Sequence, residues 1–203
     1  TVEANPADVS APFLEMLRTC GVNRLSLGVQ AADDAVLAAM GRRGTRRVLE
    51  DVVPRARRFF DNLSFDLIYG FGKRRRDLYA ELSWLFDLAE PDHLSAYAYT
   101  RPKRRGAPPC AEEETIEAEE EAIHEFLRRR GFVRYEVSNW ARPGAESVHN
   151  RLYWTWGRYI GIGAGAHGFE PHAGLRYHYP ERVSSFIHRP RKVVDRLPRE
   201  MLM

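Results

Sequence analysis

A regular alternation of short apolar runs with helical patterns constrains this chain more than any other feature. The runs Arg24–Gln30, Ser64–Tyr69, His93–Tyr99 and Arg134–Ser138 are rich in β-branched, aromatic and apolar residues and bounded by turn formers. Thr1–Ala4 reads as a further strand. The four runs start at 24, 64, 93 and 134, so they lie 40, 29 and 41 residues apart, the length of a βα unit. Helical spacing fills the gaps. It places Phe13, Leu14 and Leu17 on one face of 11–20, with Gly21 closing the helix. It places Val48, Val52 and Phe59 or Phe60 on a face of 47–60, where Pro54 marks a kink or the true start. It places Leu78, Leu82, Leu85 and Phe86 on a face of 77–88. The segment 112–130 is the clearest helix. Ile116, Ile123, Phe126 and Leu127 form its stripe, Glu crowds its start, and Arg128–Arg130 end it before Gly131, charges that complement the helix dipole. The pattern predicts an α/β fold, a parallel βα array that is either barrel-like or doubly wound. Function then belongs at the carboxyl ends of the strands, which directs attention to Gln30, to 66–72 and to Tyr99–Thr100. After 138 the chain is rich in Gly, His, Trp and Tyr with little periodicity. The organisation expected is therefore 1–138 as the βα portion, and 139–203 as the start of a loop-rich C-terminal region packed on it.

Composition narrows the function classes. Apolar residues make up 44% and charged residues 29%, a globular balance, and no 18-residue apolar run is present to cross a membrane. The chain opens in a strand with no initiator Met and no signal peptide, and is read as a truncated piece of a longer protein. Cys20 and Cys110 are its two cysteines. Two separated thiols exclude a disulfide framework and a self-sufficient metal or iron–sulfur site, and point to a reduced, cytoplasmic setting. Net charge is 31 − 28 = +3. The basic residues are blocky and belong to no recognisable nucleic-acid module, so a nucleic-acid partner is not expected.

Three segments in succession carry a family resemblance. The first is Glu3-Ala4-Asn5-Pro6 followed by Gly21-Val22-Asn23-Arg24-Leu25-Ser26-Leu27-Gly28-Val29-Gln30. The second is Phe65-Asp66-Leu67-Ile68-Tyr69-Gly70. The third runs from Tyr135-Glu136-Val137-Ser138-Asn139-Trp140 to His149-Asn150-Arg151-Leu152-Tyr153-Trp154 and on to Gly161-Ile162-Gly163-Ala164-Gly165-Ala166-His167. In this order they resemble the radical S-adenosylmethionine (SAM) proteins of the oxygen-independent coproporphyrinogen III oxidase family. The H-N-x-x-Y-W element resembles the heme chaperone (HemW) branch of that family. The resemblance implies a partial radical-SAM βα barrel holding SAM and a [4Fe–4S] cluster. The family's cluster-binding C-x-x-x-C-x-x-C loop would precede Thr1, so no metal ligand is expected from this chain.

The resemblance also implies residue roles. Glu3 would contact the amino acid moiety of SAM, where a carboxylate pairs with an ammonium; the alternative is a solvated strand-end acid. Gln30 ends a strand with an amide that donates and accepts, and Arg42 offers a guanidinium to a carboxylate, with Arg43 adjacent. Asp66 is an acid inside an otherwise apolar strand, a placement that is costly unless the group is bonded. It would bind a ribose hydroxyl, or else serve as a buried structural acid. Thr100 matches a position whose backbone contacts adenine. His149, Tyr153 and Trp154 supply an axial donor and an aromatic wall for heme, extended by Trp156 and Tyr159, with His167 a second candidate ligand. The alternative is an aromatic core plug. Gly161-x-Gly163-x-Gly165 lacks the strand and helix of a dinucleotide fingerprint and reads as close backbone packing. Lys73–Arg76 and Arg101–Arg105 stand where the family carries glycine- and proline-shaped loops. They either attract an anion such as porphyrin propionates or mark a degraded site.

The expected function is a heme chaperone-like radical SAM protein that binds heme and SAM, with heme-accepting proteins as partners. The alternatives are an oxidase that decarboxylates porphyrinogen propionates by radical chemistry, and an inactive fragment.

Overall fold

The computed structural model describes residues 1–103, 106–188 and 192–197. Arg104 and Arg105, within the second basic loop, lie outside the described residues. The chain divides into two compact units, Thr1–Glu146 and Ser147–Met203.

In the first unit, β1 (Val2–Ala4), β2 (Arg24–Gln30), β3 (Asn62–Tyr69) and β4 (His93–Ala98) pair in parallel in chain order. The connections carry α1 (Ala11–Thr19), α2 (Asp34–Ala39), α3 (Arg46–Phe59) and α4 (Leu78–Leu88), and α5 (Glu113–Arg129) follows β4. Side chains alternate across a strand, and here the alternation sorts chemistry. Leu25, Leu27, Leu63 and Phe65 join Leu14 and Leu17 of α1 and Leu49, Val52 and Val53 of α3 in one buried cluster. Leu67, Tyr69, Leu94 and Ala96 join Leu78, Leu82 and Phe86 of α4 and Ile123, Phe126 and Leu127 of α5 in a second. The helices thus cover the odd-numbered positions of β2 and β3 and the even-numbered positions of β4. The other face carries Arg24, Ser26, Ser64, Asp66, His93 and Ser95. This is a partial βα barrel with an apolar outer layer and a polar inner face.

Helix starts follow local chemistry. Ser10 Oγ accepts from Phe13 N, Asp33 from the amides of Ala35 and Val36, Thr45 from Val48 N, and Asp77 from Ala80 N. Thr45 fixes the start of α3 at Arg46, so Pro54 lies inside the helix rather than at its start. The amide that Pro54 lacks leaves the carbonyl of Glu50, an exposed residue, to water.

The expected parallel strand at Arg134–Ser138 is not formed. β5 is only Val133–Arg134, and it pairs antiparallel with β6 (Asn139–Ala141), which pairs antiparallel with β4. Residues 135–138 turn instead: Glu136 Oε1 accepts from Ser138 N at 2.8 Å and from the Asn139 side chain. A local side-chain acceptor thus overrides β propensity. The sheet also runs past the expected boundary at 138, and the division of the chain lies at Glu146/Ser147.

The second unit is more regular than its composition suggests. It contains α6 (Val148–Trp154), β7 (His167–Glu170), β8 (Leu175–His178), α7 (Val183–His188) and β9 (Lys192–Arg196), with β7-β8-β9 an antiparallel sheet. Strands as short as His-Gly-Phe-Glu and Leu-Arg-Tyr-His carry no aliphatic alternation, which hid them from the periodicity analysis.

A buried polar network ties the turn after β3 to α4 and α5. Glu119, 2% exposed, accepts from Gly70 N at 2.7 Å and from Arg76 N at 2.8 Å. Arg76 bonds Glu81 through Nε and Nη2 and donates to Ile68 O, and Glu81 also accepts from Ala32 N. Removing one member leaves buried donors unpaired. Glu119→Ala is therefore expected to lower the unfolding free energy by about 3 kcal/mol in chemical denaturation, while Glu121→Ala, on an exposed side chain of the same helix, leaves it nearly unchanged.

Candidate functional site

The inner face of β1–β4 and the loops at its edge gather Glu3, Gln30, Arg42 and Asp66 of the residues singled out from sequence. Asp66 accepts from Ser26 Oγ at 3.1 and 3.2 Å to its two oxygens, and Ser95 also bonds its carboxyl. Burial pushes its pKa up, opposed by the hydrogen bonds of Ser95 and Ser26. Glu3 is the register partner of Ser26, so two carboxyls flank one hydroxyl. Two serine hydroxyls thus offset part of the cost of an acid in this strand.

Gln30 is the strained residue of the site. Its φ is 65°, in the left-handed region, at a bulge where β2 advances from Leu27 to Gln30 while β3 advances from Phe65 to Leu67. Bulges re-aim side chains, and a strained non-glycine residue marks a position held by its surroundings. A Cβ on Gly28 would stand 2.7 Å from Gln30 Nε2 and 3.8 Å from Asn5 Oδ1, so a larger residue there would push the Gln30 amide from its present position. Arg42 Nη1 reaches to 3.5 Å from Asn5 Oδ1. Asn5, Gly28, Gln30 and Arg42 thereby meet, and Asn5, Gly28 and Arg42 line a cavity of about 120 Å³. Arg43 lines the same cavity, with its guanidinium paired to Asp8 at 2.6 Å. Thr100 lies two residues beyond the end of β4, exposed and joined to this cluster by no hydrogen bond among the described residues.

Sequence reasoning missed the floor beneath Asp66. Ser64 Oγ meets His93 Nδ1 at 2.8 Å, and His93 Nε2 meets the Tyr135 hydroxyl at 2.8 Å. Arg24, 8% exposed, lies two positions before Ser26, and its Nε has no hydrogen-bond partner among the described residues. Burial depresses its pKa, and Asp66 is the strongest charge opposing that. The available signal was a polar residue at alternate positions of each strand: Arg24 and Ser26, Ser64 and Asp66, His93 and Ser95.

The first basic loop divides. Arg76 lines the same cavity as its neighbours, but its guanidinium is committed to Glu81 and to the carbonyl of Ile68. Lys73, Arg74 and Arg75 line a cavity of about 580 Å³ with Arg46 and Trp84, which shares no lining residue with the cavity at Gly28.

In the second unit, His149 and Tyr153 stand one helical turn apart on α6, with Nε2 and the hydroxyl 2.7 Å apart. Tyr159 packs edge-on against Tyr153 at 4.6 Å and lies 6.3 Å from His149. Trp154 is 59% exposed, and no residue of α6 is buried, so this is not an aromatic core plug. A Cβ on Gly161 would stand 2.3 Å from His167 O, which makes that glycine a close backbone contact, as expected.

The donor set suits SAM and does not suit an iron–sulfur cluster. Carboxyls, amides and a guanidinium match ammonium, hydroxyl and carboxylate groups. Cys20 and Cys110 are free thiols in separate segments, and no group of three or more metal-ligating side chains occurs among the described residues.

Two outcomes follow from this geometry. Burial, aided by Arg24, depresses the His93 pKa from 6.5 to about 3. The unfolded chain therefore binds a proton between these values that the folded chain does not. Stability falls as pH drops through this window, by up to about 1.4 kcal/mol per pH unit from this group, and His93→Gln flattens that slope in denaturation at stepped pH. Gln30→Gly relieves the left-handed strain and is expected to raise stability by about 1 kcal/mol in chemical denaturation.

Residues 1–82 match the model of the radical SAM superfamily. The chain is 37% identical over 187 residues to the heme chaperone HemW of Lactococcus lactis, covering 87% of this chain and 48% of the relative. It is 36% identical over 182 residues to the mitochondrial radical S-adenosyl methionine domain-containing protein 1 of Mus musculus, covering 83% and 40%. It therefore spans about half the length, or less, of the curated relatives it matches. Among solved structures, coproporphyrinogen III oxidase (HemN) from Escherichia coli superimposes with a TM-score of 0.72 at 21% identity, over 90% of this chain and 46% of that one. Residues 1–82 thus resemble radical SAM proteins, the chain as a whole is similar to part of the HemW heme chaperones, and it shares its fold with part of the HemN oxidase.

Proposed function

We propose that this chain serves a HemW-type heme chaperone, carrying part of the SAM site in its first unit and a heme site in its second. The observation that carries the heme reading is the exposed pair His149–Tyr153 on α6, with Tyr159 packed edge-on beside it. Heme needs an axial nitrogen, oxygen or sulfur donor and an aromatic or apolar wall for its macrocycle. His149 supplies the imidazole, with the Tyr153 hydroxyl as its hydrogen-bond partner, and Tyr159, Trp154 and Trp156 supply the wall. Large aromatics left 42–59% exposed, as Tyr153, Trp154 and Trp156 are, favour a planar ligand over a purely structural role. The curated names of the relatives support the same reading.

Glu3, Asn5, Gln30, Arg42 and Asp66 are assigned to SAM, with the two carboxyls beside Ser26 facing its ammonium and ribose. When bound, SAM and the iron–sulfur cluster would supply radical chemistry; this chain's own residues bind and orient the cofactor. The partners are heme and the proteins that accept it. No helix among the described residues is long and apolar enough to cross a membrane, and the free thiols fit a reduced, cytoplasmic compartment.

Hemin titration tests the assignment. The wild-type chain is expected to shift the Soret band saturably. His149→Ala weakens binding at least tenfold, and Tyr153→Phe weakens it less. An unchanged affinity in His149→Ala would remove this heme site. Formation of 5′-deoxyadenosine that depends on coproporphyrinogen would favour the oxidase instead.

A further inference from the structure

We propose that His167 and His178 form a two-imidazole site for a divalent transition-metal ion of the zinc, nickel and copper class, on the β7–β8 ladder of the second unit. The two residues are register partners on antiparallel strands. Tyr179 N donates to Ala166 O at 2.8 Å, a bond that spans the residues flanking the pair on one side. This places His167 and His178 at a non-hydrogen-bonded position, where Cα atoms approach to about 4.5 Å and facing side chains stand nearest. Their rings lie nearly parallel, 21° between planes and 5.5 Å between centroids. Two nitrogens bound to one tetrahedral ion at about 2.0–2.1 Å lie roughly 3.3 Å apart. Side-by-side imidazoles on neighbouring strands reach that spacing by rotating side chains alone.

The backbone beneath the pair is fixed. A Cβ on Gly168 would fall 2.2 Å from the Tyr177 ring, so that ring lies directly over the residue following His167. Gly161 presses against the His167 carbonyl from the other side of the strand. β8 is the central strand, and His178 is also held by pairing with Lys192 of β9. Arg176, two positions before His178 on the same face of β8, is engaged elsewhere. Arg176 lies over the rings of Trp156 at 5.1 Å and Phe169 at 5.9 Å, and 4.0 Å from Asp195.

The donor set selects the ion. Two imidazoles with no carboxylate cluster suit zinc, nickel and copper, and do not suit calcium or magnesium, which take oxygen ligands. No third protein ligand gathers among the described residues, so the remaining coordination positions fall to water or a small ligand. The site does not rest on the heme reading, because His149 is not part of it.

The test is calorimetric titration of the tag-free chain with zinc and, separately, nickel. His167→Gln and His178→Gln are each expected to weaken binding at least tenfold, and the double variant to abolish it. His149→Ala keeps zinc and loses hemin, whereas His178→Gln loses zinc and keeps hemin. Single variants that retain zinc affinity within twofold overturn the site, as does a double variant that still binds zinc like the wild type. So does loss of both ligands in His178→Gln with an unchanged circular dichroism spectrum. An independent measurement needs no variant: zinc clips two strands together and raises Tm of the wild-type chain, while magnesium does not. Equal Tm with the two ions also overturns the proposal.

Discussion

The first unit depends on a sheet whose two faces must be dry for different reasons. One face is buried against α1, α3, α4 and α5 by aliphatic and aromatic side chains. The other buries Arg24, Ser26, Ser64, His93 and Ser95 at 8% exposure or less. Apolar burial is favourable without further conditions, at about 25 cal/mol per Å². Polar burial is tolerable only when the groups satisfy one another. Ser26 and Ser95 therefore meet Asp66, and Ser64, His93 and Tyr135 form a chain. The exceptions are Arg24 Nε, Asn62 Oδ1 and Asn139 Oδ1, which have no such partner among the described residues. A face this costly is kept where its groups have chemistry to perform, and the residues assigned to SAM lie on it or at its edge.

The same demand for partners decides what the basic loop after β3 does. Arg76 looks in sequence like one of four consecutive cations. In the fold its guanidinium is 4% exposed and shared between Glu81 and the carbonyl of Ile68, while its amide is held by Glu119. It anchors the loop and leaves Lys73, Arg74 and Arg75 on the surface of a different cavity from the one at Gly28. A charge run is thus part scaffold and part surface, and only the partners on α4 and α5 tell which residue is which.

The second unit has a different economy of burial. Its helix α6 has no buried residue, and its aromatic side chains pair edge-on with one another rather than forming an aliphatic core. Tyr159 bridges to Phe169 of β7, so aromatic contacts run from His149 towards the strand that carries His167. Such a surface is suited to a flat, apolar ligand with a donor at its edge, and it gives the unit its functional reading.

Most strand positions, the helix faces and the parallel βα arrangement were legible in the sequence, because burial against helices imposes a period of two on strands and 3.6 on helices; the sequential order of β1–β4 was not, since a barrel-like and a doubly wound array share that pattern. Asp66 was legible as well, since an acid in an apolar strand announces a bonded group. The turn at 135–138 was not, because Glu136 accepting from Ser138 competes with a β propensity that the sequence records equally well. Nor were the short strands β7 and β8, whose His, Gly and Arg residues carry no hydrophobic period. The left-handed backbone of Gln30, the clearance over Gly28 and the facing rings of His167 and His178 were settled by tertiary structure alone. Each depends on strand register, which a bulge or a single cross-strand bond shifts by one residue, and a one-residue shift moves a side chain to the opposite face.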